Sequence, residues 1–321
     1  MPFLTASGAE IPRIIVGTER LGSVLPDALV RSGERRRVER YLDELVDAGC
    51  TALDTAASYQ RGGSERILGR WLHARRNRDR LFLISKGAHP HFFAWPCRLT
   101  PRDLSADLHA SLRRLRTPYL DLYLVHRDSP GVPLAPILEV LVRFRDQGKI
   151  GAFGVSNWSH ERIAALDALA GAAGVDSLAA SSPHFSLLDW RRTPWPGCVS
   201  IAGAAKEKKD ERAYYKERQL PVLAWSPLGR GFFSAPAQAE RPDRIYGSPA
   251  NVARRQRARI LAERYRCTAA QIALAYLYNQ PFPVYAVVAS RSVENLKAGR
   301  AAAALRLAQR ELQWLERGDP L

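Results

Sequence analysis

From about residue 14, short β-branched or leucine-rich runs alternate with longer amphipathic stretches, a pattern that predicts repeated strand–helix units around a parallel sheet. The strand runs are Ile14 to Val16, Ala52 to Asp54, Leu81 to Ser85, Leu120 to Val125, Ala152 to Val155, Leu178 to Ser181, Val222 to Ala224 and Ala286 to Val288. Helical patterns occupy Glu34 to Ala48, Ser64 to His73, Pro101 to Arg114, Leu134 to Gln147, Ser159 to Leu169, Lys206 to Glu217 and one long stretch from Asn251 to Asn279, with a last helix over about 306–317. Thr100 ahead of Pro101, Ser159 ahead of Glu161 and Thr268 ahead of Ala269 are helix start signals.

Eight strands with interposed helices predict an α/β chain closed as a (β/α)8 TIM barrel, one domain over residues 1–321. The first strand–helix turn reads VGTERLGS rather than GxGxxG, so the Rossmann fingerprint is missing. Two connections break the alternation, the aromatic segment 87–98 after the third strand and the Phe- and Pro-containing segment 230–248 after the seventh; both are expected to wall the barrel mouth.

Composition changes this picture little. Hydrophobic residues at 46% and charged residues at 25% are ordinary for a globule with a full core. The net charge of +16 raises nucleic acid as a partner, but the arginines are scattered among acids on helix faces and no nucleic-acid motif accompanies them, so a solvated basic surface is expected. Cys50, Cys97, Cys198 and Cys267 form no CxxC pair, which argues against a zinc ribbon or a dithiol motif, and no metal site is expected. Neither a secretory leader pattern nor a run of membrane-spanning length is visible, so a cytoplasmic protein without membrane contact is expected.

Chemistry concentrates at the ends of three successive strands: Asp54 with Tyr59, then Lys86, then His126. If those strands are neighbours, a carboxylate, a phenol, an ammonium and an imidazole meet at the mouth, where such barrels place their reactions. Each residue alone has a plainer reading: Asp54 as a helix N-cap, Lys86 as a solvated strand-end charge, His126 as a packed strand-end histidine. A chemical rival is a Schiff base on Lys86.

The stretches LDTAASYQRGGSERILGRWL, LISKGA, DLYLVH, GAFGVSN, AWSPLGRGFF and VVASRSVENL, in this order from residue 53 to residue 296, resemble the aldo-keto reductase family. The resemblance implies an NADP(H)-dependent oxidoreductase that reduces an aldehyde or ketone, with Tyr59 as general acid, Lys86 as the cation that favours its phenolate, Asp54 holding the lysine, and His126 on the substrate oxygen. The same family pattern assigns Gly17, Thr18 and Asp54 to the cofactor, Ser156, Asn157 and Ser182 to the nicotinamide carboxamide, and Trp225 to stacking under the ring. It likewise assigns Ser226, Leu228, Gly229, Arg230 and Gly231 to the pyrophosphate, Ser290, Arg291 and Ser292 to the adenosine 2′-phosphate, and Glu294 and Asn295 to adenine. NADPH is thereby favoured over NADH. Departures from the pattern are Ser182 where many members carry Gln, Phe185 where Tyr is frequent, and Ala289 and Gly299 where some members supply Lys and Asn.

His89, Phe92, Phe93 and Trp95 from one connection and Phe232 from the other, with Phe233 beside it, predict an open, apolar and rather flat pocket for a small carbonyl compound. Besides the reductase, a regulatory or redox-sensing barrel that binds the nicotinamide cofactor with little turnover fits the same residues.

Overall fold

Eight strands pair in parallel in chain order and the last returns to the first: β1 Ile14–Gly17, β2 Ala52–Asp54, β3 Phe82–Gly87, β4 Leu120–Val125, β5 Ile150–Ser156, β6 Ala180–Ser182, β7 Val222–Trp225 and β8 Val284–Val288. The computed structural model describes residues 3–24, 32–90, 98–233 and 244–320. Among the described residues ten α-helices surround the barrel: α1 Ser32–Asp47, α2 Gly63–Arg75, α3 Pro101–Leu115, α4 Ala135–Asp146, α5 His160–Ala172, α6 Lys206–Arg218, α7 Pro249–Arg264, α8 Ala269–Tyr278, α9 Val293–Ala301 and α10 Gln309–Arg317. No helix among the described residues is long and apolar enough to cross a membrane.

All eight strand runs read from the sequence are strands, and most bounds shift by one or two residues; β3 and β5 run on through Gly87 and Ser156. The single long helix expected over 251–279 is two: α7 ends at Arg264, Arg266 turns left-handed at φ 52°, and Thr268 opens α8 through a reciprocal capping box with Gln271. Helix α9 lies where the sequence was read only as a phosphate patch; Ser292 caps it by accepting from the Asn295 amide at 3.3 Å.

The period-two alternation of the strands sorts their side chains into two layers. Ile14, Val16, Leu53, Leu83, Tyr123, Val125, Phe153 and Val155 face the helices and join the large outer core. Ile15, Ala52, Phe82, Ile84, Leu122, Leu124, Ala180, Leu223 and Tyr285 fill the barrel itself, and Phe3 plugs its lower end against Phe82 and Tyr285 at 5.3 Å from each ring. Each fully buried side chain of this size contributes about 1.5–3 kcal/mol. Two residues beyond the last inward apolar position of β2, β3, β4, β5, β6 and β7 stand Asp54, Lys86, His126, Ser156, Ser182 and Trp225, so one parity delivers six polar or aromatic groups to one end of the barrel.

The connection after β1 crosses the start of α2 at backbone contact. A Cβ at Gly63 would lie 1.8 Å from the Ser23 carbonyl oxygen, and one at Gly22 would lie 2.2 Å from the Ser64 nitrogen. Behind this crossing, Glu65 of α2 is fully buried and accepts from the Ser85 hydroxyl of β3 and the Arg114 guanidinium of α3, both at 2.7 Å.

Candidate active site

Beyond its hydrogen-bonded ladder, β2 stays laced to β3, because the Thr55 amide donates to the Ile84 carbonyl and the Ala57 amide to the Lys86 carbonyl, both at 2.9 Å. The His126 amide similarly donates to the Gly87 carbonyl at 2.8 Å. These bonds fix the positions of Asp54, Lys86 and His126 relative to one another. The chain then makes a tight 3-10 turn over Tyr59–Gly62 in which Gln60 and Arg61 adopt left-handed backbone at φ 49° and 52°. Such conformations cost about 1–3 kcal/mol each and persist where the surroundings dictate them; here Gln60 donates to the Glu19 carbonyl and Arg66 to that of Arg61, each at 3.2 Å.

The turn sets the Tyr59 hydroxyl 3.1 Å from Lys86 Nζ, which also donates to Asp54 Oδ1 at 2.6 Å and to the Thr55 carbonyl at 3.0 Å. An ammonium has three N–H groups, and all three are engaged. Since Lys86 donates to the phenol oxygen, the phenol keeps its own hydrogen to donate, and Asp54 is one group that feels it. Burial pulls the Lys86 ammonium down, but Asp54 and Tyr59 outweigh it and hold it above its usual range. Burial raises the Asp54 carboxyl, with Lys86 opposing. Burial also pushes the Tyr59 phenol up to about 12, although Lys86 pulls it down. The cation acts in the expected direction, yet desolvation wins, so the phenol is a protonated acid throughout the neutral range.

His126 is 6% exposed, and its Nδ1 lies 3.5 Å from the Ser58 hydroxyl. Burial, then the neighbouring Lys86, keeps it far below the ordinary histidine range and hence neutral. Its ring stands edge-on to Tyr59 at 5.9 Å and to His89 at 4.7 Å. His89 is itself held low by burial, and its Nδ1 contacts the Pro90 carbonyl at 2.8 Å.

A second cluster adjoins the first. Asn157, left-handed at φ 58°, takes the Trp225 indole N–H and the Val199 amide on Oδ1, each at 3.2 Å, and donates from Nδ2 to the Ser156 hydroxyl at 2.8 Å. Ser156 passes its hydrogen to the Ser182 carbonyl at 3.0 Å, and Ser182 donates to the Leu223 carbonyl at 2.9 Å. Beneath Trp225, which is only partly buried, lie His184 and Trp190 with ring centroids at 5.1 and 5.6 Å. His184 is fully buried between the Ser200 and Tyr246 hydroxyls at 2.8 and 3.1 Å, and burial lowers it to about 3. Neither His184 nor Trp190 was singled out from the sequence; the signal available was an aromatic-rich SSPHFSLLDW run directly after a strand.

Thr18 joins the first strand to the site by donating to the Asp54 carbonyl at 2.9 Å, and Gly17 ends β1 beside it. Past β7, Ser226, Gly229, Arg230 and Gly231 all have positive φ, and no described residue stands within 4 Å of where a Gly231 side chain would begin. Leu228 packs on the core, whereas Phe232 lies under the Arg255 guanidinium at 4.8 Å and against Phe233. Ser290 and Ser292 form a closed turn ahead of α9, Arg291 and Asn295 are exposed, and Glu294 is paired with Lys297 at 2.9 Å. Phe92, Phe93 and Trp95 lie outside the described residues.

The sequence reading also passed over Arg127, directly after His126. It is 8% exposed, and among the described residues its side chain donates one hydrogen bond, to the His126 carbonyl at 3.3 Å.

Comparisons with known proteins cover almost the whole chain. A model of the Aldo/keto reductase family matches residues 13–317. The norsolorinic acid reductase of Aspergillus flavus is 25% identical over 98% of this chain and 80% of its own, and the methylglyoxal reductase YeaE of Escherichia coli is 26% identical over 86% and 82%. Among solved structures, the thermostable aldo-keto reductase Tm1743 superposes with a TM-score of 0.72 at 24% identity, covering 98% of this chain and 97% of that one. An aldo/keto reductase from Klebsiella pneumoniae, crystallised with NADP and acetate, gives 0.68 at 24% identity over 98% and 94%. With the barrel and the strand-end residues in place, the match over almost the whole length means that this chain belongs to the aldo/keto reductase family.

Proposed function

We propose that the protein reduces an aldehyde or ketone to the alcohol with NADPH, Tyr59 supplying the proton. The observation that carries this reading is the Lys86 ammonium between Asp54 and the Tyr59 hydroxyl, at 2.6 and 3.1 Å.

The residues present fit a dinucleotide across the mouth. Asp54 Oδ2 is buried without a hydrogen-bond partner among the described residues, Trp225 keeps part of its surface open, and no described residue crowds Gly231. Ser156, Asn157, Ser182 and Trp225 would hold the nicotinamide, Gly17, Thr18 and Asp54 the adjoining ribose, and Ser226, Leu228, Gly229, Arg230 and Gly231 the pyrophosphate. Ser290, Arg291 and Ser292 would take the 2′-phosphate at the start of α9, a position where backbone N–H groups favour anions, with Glu294 and Asn295 beside the adenine. Bound there, the cofactor supplies the hydride that the carbonyl carbon needs.

The chain's own residues handle the proton. The Tyr59 hydrogen, freed by the Lys86 bond, is directed at the carbonyl oxygen, and neutral His126 donates a second hydrogen bond to the same atom. As negative charge develops there, Tyr59 releases its proton and Lys86 stabilises the phenolate left behind. Solvent returns the proton. Asp54 keeps the ammonium charged and aimed. Relatives named for reduction of norsolorinic acid and of methylglyoxal support a carbonyl substrate.

NADPH consumption measured across aldehydes, quinones and keto-sugars tests the reading. Tyr59→Phe is expected to lower kcat by about 10²–10⁴-fold while cofactor affinity holds within roughly threefold. Tight NADPH binding with no turnover on any carbonyl would leave the sensing reading in its place, and full turnover in the Phe variant would remove Tyr59 as the acid.

A further inference from the structure

Arg127 follows the last residue of the strand end that carries His126, and its burial is unusual for its company. The side chain is 8% exposed, and one N–H donates to the His126 carbonyl at 3.3 Å. No carboxylate among the described residues lies within ion-pair distance, since Asp128, next in the chain, is taken by Arg162 at 3.1 Å. The segment 91–97, which continues from His89, contains no acidic residue either. Among the described residues the remaining guanidinium N–H groups have no protein acceptor, and none of them belongs to the fully enclosed, unpartnered polar atoms. A guanidinium removed from bulk water without a counter-charge is costly, and the cost falls when an anion arrives.

The neighbours say where that anion would sit. Burial lowers His126, just past β4, and His89, after β3, and raises the Cys198 thiol in the connection after β6; in each case the Arg127 charge adds a smaller push against the protonated form. The His126 and His89 rings are 4.7 Å apart and both stay neutral, offering neither a counter-charge nor repulsion. The single carboxylate of the catalytic group, Asp54, is already paired with Lys86 at 2.6 Å. Arg127 thus places a positive charge next to His126.

We infer that Arg127 is a specificity-determining residue that binds a carboxylate on the substrate, making carboxylate-bearing aldehydes or ketones the favoured class. This rests on the carbonyl-reduction reading above and narrows it. A planar fork of N–H donors suits a carboxylate through two parallel bonds, which a lysine cannot reproduce.

The test compares kcat/KM with NADPH for 2-, 3- and 4-carboxybenzaldehyde against their methyl esters in the wild-type enzyme, Arg127→Leu and Arg127→Lys. The wild type is expected to favour at least one acid over its ester by about tenfold or more, and the Leu variant to lower that ratio by about 30-fold, chiefly through KM. The Lys variant, which keeps the charge, should fall between, and it carries the test alone if the Leu variant does not fold. An unchanged ratio, or equal losses on acid and ester, would overturn the assignment and make Arg127 a packing residue. If no aldehyde is reduced, the reduction reading fails by itself. Carboxylate recognition is then read by calorimetry with terephthalate on the NADP+-loaded protein, where equal binding by wild type and Leu variant, or none by either, overturns it.

Discussion

At Lys86 the same three hydrogen bonds bear on stability and, in the proposed reaction, on chemistry. Lys86→Met leaves the buried Asp54 charge alone, so it should cost about 3–5 kcal/mol of stability in denaturant unfolding as well as most of the activity. Adding Asp54→Asn should return much of the stability and none of the turnover; recovery of both would mean that the pair is structural only. Tyr59, pushed up to about 12, stays protonated well past neutrality, so kcat/KM for reduction should show no alkaline decline from this group below about pH 10. His184 gives the opposite dependence. Its folded form resists protonation down to about 3 against 6.5 when unfolded, so the unfolded chain gains the proton first and stability drains as pH falls below 6.5. The loss is about 1.4 kcal/mol per pH unit, and a His184→Gln variant should melt with a shallower acid slope than the wild type; equal slopes would clear His184 of the effect. Asp54, Tyr59, Lys86 and His126 were legible because each sits within a recognisable motif at a strand end. Arg127 and His184 were not, because an arginine after a strand and a histidine in an aromatic loop acquire their meaning only from burial and from missing or present partners.

Among the elements, the brace made by α2, β3 and α3 stands out as the mechanical support of Lys86. Glu65 is fully buried and receives Ser85, the residue before the lysine, and Arg114. Glu65→Ala strands the arginine and the serine hydroxyl, so a loss of about 3 kcal/mol in urea unfolding is expected, with kcat falling further than that loss of folded protein explains. A fall in stability alone would detach the brace from the site. The strands were readable because both faces of a closed parallel barrel are covered, which makes each strand a short continuous apolar run. The break between α7 and α8 was hidden because residues 265–267, Tyr-Arg-Cys, contain neither glycine nor proline; Arg266 makes the left-handed turn that glycine usually makes. Helix α9 was hidden by its own chemistry, since Ser290 to Asn295 reads equally as an anion loop and as a capped helix start.

For the molecule as a whole, the surplus of +16 is the property a tetra-anionic cofactor meets first. Many arginines are already paired across helices, as Arg75 with Asp43, Arg145 with Asp176 and Arg212 with Glu316. The unbalanced remainder should still steer an anion, and stopped-flow quenching of tryptophan by NADPH should show an association rate that drops about tenfold or more between about 20 and 300 mM salt. A rate indifferent to salt would place the excess charge away from the mouth. Far from any charge, the crossing of Gly22 and Gly63 has its own effect on catalysis. Two positions defined by hydrogen atoms alone let the first loop press against the segment that follows Tyr59, and a single methyl at either would wedge that segment outward. The address of Tyr59 is therefore written partly in residues that could never touch a substrate, and alanine at Gly63 should silence the enzyme from a distance.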